Sequence, residues 1–286
     1  MQLGSLTLEN PVCLAAAPWK LAGDGYEQLG AIFTKTVTME PRPGLPGDEG
    51  VLQVADQTLL NRTDLHIEGA ELLVHEHLPH LRRFGVPVFV SITAPGIPGF
   101  RKIARYLQRE AGSQLAGLEV YITTPARGTG ADITPRFVRE ATEAVRTELR
   151  DDAPVVVKLP PWPDHIRGLA LAAQEGGATA LAATNTLKVL HLPADPNAAP
   201  LVGGLSGEAL RPLALRCVWE LAHDEKIHLP IFGTGGIFTL RHVHDYLRVG
   251  AQAVQVASGE WLNPGLTPRL AREVALTLNV TPPRNP

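Results

Sequence analysis

Two lysines stand where apolar runs end. Lys35 closes AIFTK and Lys158 closes PVVVK. An ammonium at the end of a buried strand is costly unless it is paired or used, so the two together point to a site that handles negative charge. Glycine supplies a second signal: FGTGG at Phe232–Gly236 and VQVASGEW at Val254–Trp261 each close a short apolar run. Without a Cβ, backbone N–H groups can approach phosphate oxygens. The combination suggests a phosphorylated small molecule held beside positive charge, with a pair of tight, ligand-free turns as the plain alternative. Amides add polar contacts. Asn185 with Thr186 in ATNTLK, and Asn61 in LLNRTDL, offer donor and acceptor together, as a heterocycle with alternating C=O and N–H groups requires. Either Asn taken alone reads as a turn residue ahead of a ligand; Arg62 offers a clamp for a carboxylate but reads first as a solvated side chain.

These residues sit on a repeating series of elements. Apolar, β-branched runs occur at Pro11–Ala16, Ala31–Val37, Val86–Thr93, Leu118–Thr123, Pro154–Leu159, Ala178–Thr184, Pro230–Gly233 and Ala251–Ser258. Most are continuous rather than alternating, the pattern of parallel strands buried on both faces. Helical patterns lie between most of them: Leu72–Phe84, Thr134–Leu149 with Thr134 as N-cap before Pro135, Gly207–Ala222 with Ser206 as N-cap, Thr239–Val249 and Pro268–Leu278. Strand–helix alternation repeated eight times means a closed barrel or an open doubly wound sheet. No GxGxxG follows the first run, and the glycines cluster after the seventh and eighth, where an α/β (β/α)8 (TIM) barrel builds its phosphate site. The barrel is therefore the expected fold, a single domain over residues 1–286, with insertions after strand two (Thr38–Ala70) and strand six (Leu187–Leu205) that fall where lids and binding loops belong.

Composition narrows the function. A formal net charge of −3 gives no reason to expect nucleic acid or an anionic membrane. No signal peptide and no apolar run of membrane-spanning length is visible. Two cysteines, Cys13 and Cys217, cannot form a disulfide framework or hold an iron–sulfur cluster, which needs about four thiolates; each lies in an apolar run and reads as packing. A reducing, cytoplasmic setting follows. CxxC, HExxH, GxSxG and GxxxxGKS/T motifs are absent. His66, His75, His77 and His80 read as a solvated surface, with no metal expected.

The motifs KTVTMEPRPG, LLNRTDL, VVVKLPP, ATNTLK, GGLSGEALRPLAL and PIFGTGGIFT, in this order, resemble those of the dihydroorotate dehydrogenases, flavin mononucleotide (FMN) enzymes on a (β/α)8 barrel. The likeness spans ENPVCLAAAP to VQVASGEW. It implies that Ala15 and Ala16 offer backbone to the flavin ring, that Lys35 and Thr36 contact flavin and substrate, and that Lys158 lies near the ring's pyrimidine side. Gly207, Gly235, Gly236, Ala257 and Ser258 would line the ribityl-phosphate end. Asn61, Tyr121, Asn185 and Thr186 would meet the substrate.

One segment departs from the family pattern. Relatives carry N-x-S-C-P-N, or S-S-P-N in membrane-linked members, after strand four, and the Cys or Ser before Pro acts as base. This chain has YITTPARG, with Thr124 in the base position, Tyr121 for the first Asn and Ala126 for the second. An alkanol is a weaker base than a thiol, and lost amides weaken discrimination for a polar ring. The resemblance thus implies oxidation of dihydroorotate to orotate in pyrimidine biosynthesis, with Thr124, Lys35 and Lys158 as catalytic residues. The alternatives are another dihydropyrimidine or an enoate as substrate, or a non-catalytic FMN-binding subunit. Soluble relatives are homodimers or pair with a separate electron-transfer subunit.

Overall fold

Runs that are apolar at successive positions must be covered on both faces, and closing them into a cylinder does this with one set of helices outside. The computed structural model describes residues 1–4, 6–17, 21, 23–45, 50–62, 65–122 and 133–278. Within it, eight parallel strands close in chain order: β1 (Val12–Ala17), β2 (Ile32–Thr34), β3 (Val88–Ile92), β4 (Gly117–Tyr121), β5 (Val155–Leu159), β6 (Ala180–Ala183), β7 (Ile231–Thr234) and β8 (Ala253–Val256), with β8 paired to β1. Each lies within or beside the run expected of it, and the (β/α)8 barrel stands.

The two-residue period of each strand sorts its side chains. On β4, Leu118 and Val120 join the core between strands and helices, while Gly117, Glu119 and Tyr121 fall on the opposite, inward face. The lower interior is apolar: Cys13, Ala31, Phe33, Phe89, Val156, Ala180, Phe232 and Ala253 pack together, joined from below by Leu3 and Leu8 of the N-terminal segment. Phe33 stacks on Phe89 at 4.6 Å and meets Phe232 edge-on at 5.3 Å.

The outer helices Pro135–Arg146 and Leu240–Arg248 begin at Thr134 and Thr239, whose hydroxyls accept from the N–H groups of Phe137 and His242. Ser206 does not cap a helix. It lies inside the strand Leu201–Gly207, and the following helix Arg211–Ala222 is entered through a 3-10 turn at Glu208–Leu210 with no side-chain cap. Gly207, at φ +87°, makes that abrupt turn, and a Cβ on it would lie 2.0 Å from the Gln57 carbonyl oxygen. The helix expected at Leu72–Phe84 starts at Ala70 and contains a π-turn at Leu73–His77. Its face is not uniformly solvated: His75 is exposed, but His77 and His80 are half-buried. The helices Ile97–Ala111 and Pro163–Glu175 complete intervals that the sequence pattern leaves unassigned.

The two long insertions are not irregular loops. Val51–Ala55 and Thr58–Arg62 from the first pair with Leu201–Gly207 and Leu187–His191 from the second in one four-stranded antiparallel sheet. It is rooted at the C-terminal end of the barrel, because Leu187 follows β6 by four residues and Gly207 leads into the helix before β7.

Candidate active site

Above the phenylalanine layer the barrel interior changes character. The inward positions two residues further along the same strands carry Ser91, Glu119, Lys158, Thr234 and Gln255, all buried. Four of them form one chain of contacts. Lys158 Nζ lies 3.4 Å from each carboxylate oxygen of Glu119. Gln255 Nε2 donates to Glu119 Oε2 at 3.0 Å, and Thr234 Oγ1 donates to Gln255 Oε1 at 2.9 Å. The pairing offsets the cost of burying the ammonium. Beside it, Tyr121 of β4 is in register with Lys158 of β5, so the phenol and the ammonium share one face at the barrel mouth.

Lys35 follows β2 directly and is half-buried; Thr36 Oγ1 shares a 3.0 Å hydrogen bond with Ser91 Oγ of β3. On β1, Ala15 is sealed in the interior, whereas Ala16 is exposed with φ +49°, where the pairing of β1 with β2 shifts register. That irregularity leaves Ala16 exposed near the C-terminal end of β1.

The turns after β7 and β8 and the end of the insertion sheet converge. Gly207, Gly235 and Gly236 all have positive φ, and a Cβ on Gly236 would lie 2.7 Å from the Gly207 oxygen and 2.8 Å from Arg211 Cβ. A Cβ on Gly259 would lie 2.3 Å from the Ile237 oxygen, so the turn after β8, carrying half-buried Ala257 and Ser258, packs on the turn after β7. Behind them Tyr246 donates its hydroxyl to the Gly235 oxygen at 2.7 Å, and His242 Nδ1 lies 3.1 Å from the Gly236 oxygen. Burial lowers the His242 pKa, with Arg211 acting in the same direction.

The insertion sheet brings Asn61 and Thr186 together over Gly204: a Cβ there would meet Thr186 Oγ1 at 2.3 Å and Asn61 Oδ1 at 2.8 Å. Asn185 is tied to β5 through its backbone, its N–H donating to the Leu159 oxygen at 2.9 Å. Thr124, with Pro125 and Ala126, lies outside the described residues. Neither cysteine can stand in as a base. Both are fully buried, and burial pushes each thiol up to about 12. Among the described residues no three His, Cys, Asp or Glu side chains gather as a metal site needs, and no helix is long and apolar enough to cross a membrane.

The residues that sequence reading misses are Ser91, Glu119, Thr234 and Gln255. Glu119 and Gln255 do leave a signal, each a polar residue at the centre of an otherwise apolar strand (LEV, VQV).

Residues 1–278 match the family model described as dihydroorotate dehydrogenase. The chain belongs to the dihydroorotate dehydrogenase family. It is 36% identical to the catalytic subunit of dihydroorotate dehydrogenase B (NAD(+)) of Desulforudis audaxviator, over 95% of this chain and 90% of that protein. Against the subunit of the same name from Methanopyrus kandleri the identity is 40%, over 87% and 81%. The crystal structure of the Eimeria tenella dihydroorotate dehydrogenase in complex with ferulenol shares the fold, with a TM-score of 0.75 and 21% identity over 97% of this chain and 84% of that one. This dihydroorotate dehydrogenase family member is thus a (β/α)8-barrel oxidoreductase acting on a CH–CH group.

Proposed function

We propose that the protein binds FMN across the barrel mouth and uses it to oxidise dihydroorotate to orotate, a step of pyrimidine biosynthesis. The observation that carries this reading is the layout of the mouth: a glycine cradle on one side and the Lys158 ammonium beside Tyr121 on the other. The residues fit the cofactor. A Cβ at Gly207, Gly235 or Gly236 would press on the Gln57 oxygen, Ala214 or the Gly207 oxygen, so glycine lets these turns converge into the cradle a phosphate tail would use, and Ala16 is exposed at positive φ where a planar ring could rest. In this reading Gly235, Gly236, Gly207, Ala257 and Ser258 hold the phosphate end, and Ala15, Ala16, Lys35, Thr36 and Lys158 hold the ring. When bound, the flavin supplies a two-electron acceptor for hydride.

The chain's own groups do the rest. Lys158 sets positive charge beside the ring, where it favours the reduced, anionic state. Asn61, Asn185 and Thr186 bond the polar edge of the substrate, and Lys35 faces its carboxylate. Thr124 takes the proton from the carbon next to the carbonyl, as its place before Pro125 implies. With both thiols buried, electrons leave through another protein or a soluble acceptor rather than a cluster of this chain. The relatives' names point to a separate electron-transfer subunit; we add a homodimer of one-domain chains (residues 1–286) in the cytoplasm to the proposal.

Tyr121 favours a second reading. Beside Lys158 it brings an aromatic ring where relatives use a small amide, which suits a different dihydropyrimidine or an enoate. One experiment orders these readings. The purified protein, supplied with FMN, should show flavin absorbance that bleaches anaerobically on adding dihydroorotate. Bound flavin that only another dihydropyrimidine or an enoate bleaches or reoxidises selects the second reading. A preparation colourless after FMN addition and desalting rejects both.

A further inference from the structure

A carboxylate in the middle of a barrel strand needs a reason. Glu119 is 1% exposed, and an ionised group so buried is retained only with partners. It has two, and their geometry is informative. The ammonium of Lys158 sits 3.4 Å from both oxygens, astride the carboxylate rather than in line with one lone pair. Close charge-assisted hydrogen bonds run about 2.7–2.9 Å. The contact therefore restrains the ammonium without drawing it fully down, leaving N–H capacity for an acceptor at the mouth.

The far side of Glu119 is pinned. An ionised carboxylate only accepts, so Gln255 must present its NH2 to it, and the amide oxygen is left to accept from Thr234. This gives the amide one sense and fixes one carboxylate oxygen. The chain runs from Thr234 on β7 through Gln255 on β8 to Glu119 on β4 and Lys158 on β5. Thr234 directly precedes the Gly235–Gly236 turn, so the same strand end carries both the cradle and the anchor of the network. Glu119 and Gln255, each 1% exposed, stand behind the mouth, and Lys158, 9% exposed, is the member of the network nearest to it.

We propose that Glu119 is the positioning residue for Lys158, and that Gln255, held by Thr234, locks it. The inference deepens the flavin reading and rests on it. Glu119 has two separable effects. It fixes where the ammonium stands, and it balances that charge, so the reacting ring faces a dipole rather than a bare cation. Gln255 has only the first effect, because removing it changes no charge.

The test uses the full chain loaded with FMN and two variants, Glu119→Gln and Gln255→Leu. Readouts are the FMN dissociation constant, the two-electron midpoint potential, the visible spectrum, and kcat against KM. Glu119→Gln should raise the potential, since the cation is no longer balanced. Gln255→Leu should shift the flavin absorption band and lower kcat by roughly 10²-fold, the cost of about 1 Å of misplacement, with KM nearly unchanged. Glu119→Asp, which keeps the charge on a shorter stem, should restore the potential but not kcat. A Gln255→Leu protein that keeps the parental spectrum and kcat overturns the lock, even if Glu119→Gln does not fold. A Glu119→Gln protein with parental potential overturns the charge balance. Parent protein that takes up no FMN overturns the flavin reading itself, and this inference falls with it.

Discussion

The lower and upper halves of the barrel interior are built from the same strands and the same face, yet they have opposite chemistry. Phe89 is followed two residues on by Ser91, Val156 by Lys158, Phe232 by Thr234 and Ala253 by Gln255, while on β1 and β6 Cys13 and Ala180 are followed by Ala15 and Ala182. Each pair shares a direction because strands repeat every two residues. Backbone conformation and β-propensity therefore cannot explain the contrast. Height along the barrel axis does. The lower layer is sealed by neighbouring side chains and by Leu3 and Leu8, so apolar packing is the most favourable filling. The upper layer opens toward the mouth, where charge has something to act on and hydrogen bonds can be completed between strands. One layer holds the cylinder together; the other carries the charge and hydrogen bonds that the proposed function turns toward a ligand.

The sharpest way to break this division is to damage the lower layer alone. Phe232→Ala removes an aromatic that meets Phe33 in a fully buried cluster and should cost about 3–5 kcal/mol of stability, read by denaturant unfolding. Flavin affinity per folded molecule should stay parental. If it falls in proportion, the layers are not separable.

Damage to the upper layer should do the reverse to turnover. Lys158→Met takes away the ammonium 3.4 Å from Glu119. Loss of one preorganised charge-stabilising group should lower kcat by roughly 10²–10³-fold, while bound flavin remains detectable by absorbance. A kcat within a few-fold of parental would remove Lys158 from the machinery.

Gly236→Ala probes the rim. At φ +63° an L-residue is strained by about 1–2 kcal/mol, and the new Cβ would press on the Gly207 oxygen at 2.7 Å. Gly265→Ala is the control, since its φ is +87° but nothing beyond its chain neighbours lies within 4 Å of a Cβ placed there. Both should lose stability, and only Gly236→Ala should weaken FMN binding in a fluorescence titration.

The smallest effect is in pH. Burial holds His242 below its usual value of 6.5, behind the Gly236 turn and near Arg211, Glu208 and Asp245. Below about pH 6.5 the unfolded chain takes up a proton that the fold resists. This contribution to stability is thus present above that pH and is lost as pH falls. The thermal midpoint should drop more between pH 7 and pH 5 in the parent than in His242→Asn. Equal slopes would mean the histidine does not resist protonation.

The eight strands are legible because burial on both faces writes itself as an uninterrupted apolar run, and Thr134 as a cap because Pro follows it. Other elements contradict their local sequence. Ile97–Ala111 opens with Pro98 and Gly99, residue types that disfavour a helix interior, although proline in a first helical turn costs no hydrogen bond. Leu201–Gly207 holds three glycines and still forms a strand, because it pairs with Thr58–Arg62 on one side and Leu187–His191 on the other, and Leu60, Asn61 and Thr186 come too close to Gly203 and Gly204 for a Cβ. Ser206 reads as a cap only while that pairing is out of sight.

Residue types and their order along the chain determined the barrel, the lysines at strand ends, the glycine turns and two cysteines confined to packing. Only closure of the cylinder decided that Glu119 meets Lys158, 39 residues away, and Gln255, 136 residues away. No local period encodes a contact between strands on different sides of a closed sheet. It exists because eight strands wrap until the inward side chains of β4, β5, β7 and β8 face one another across a shared interior.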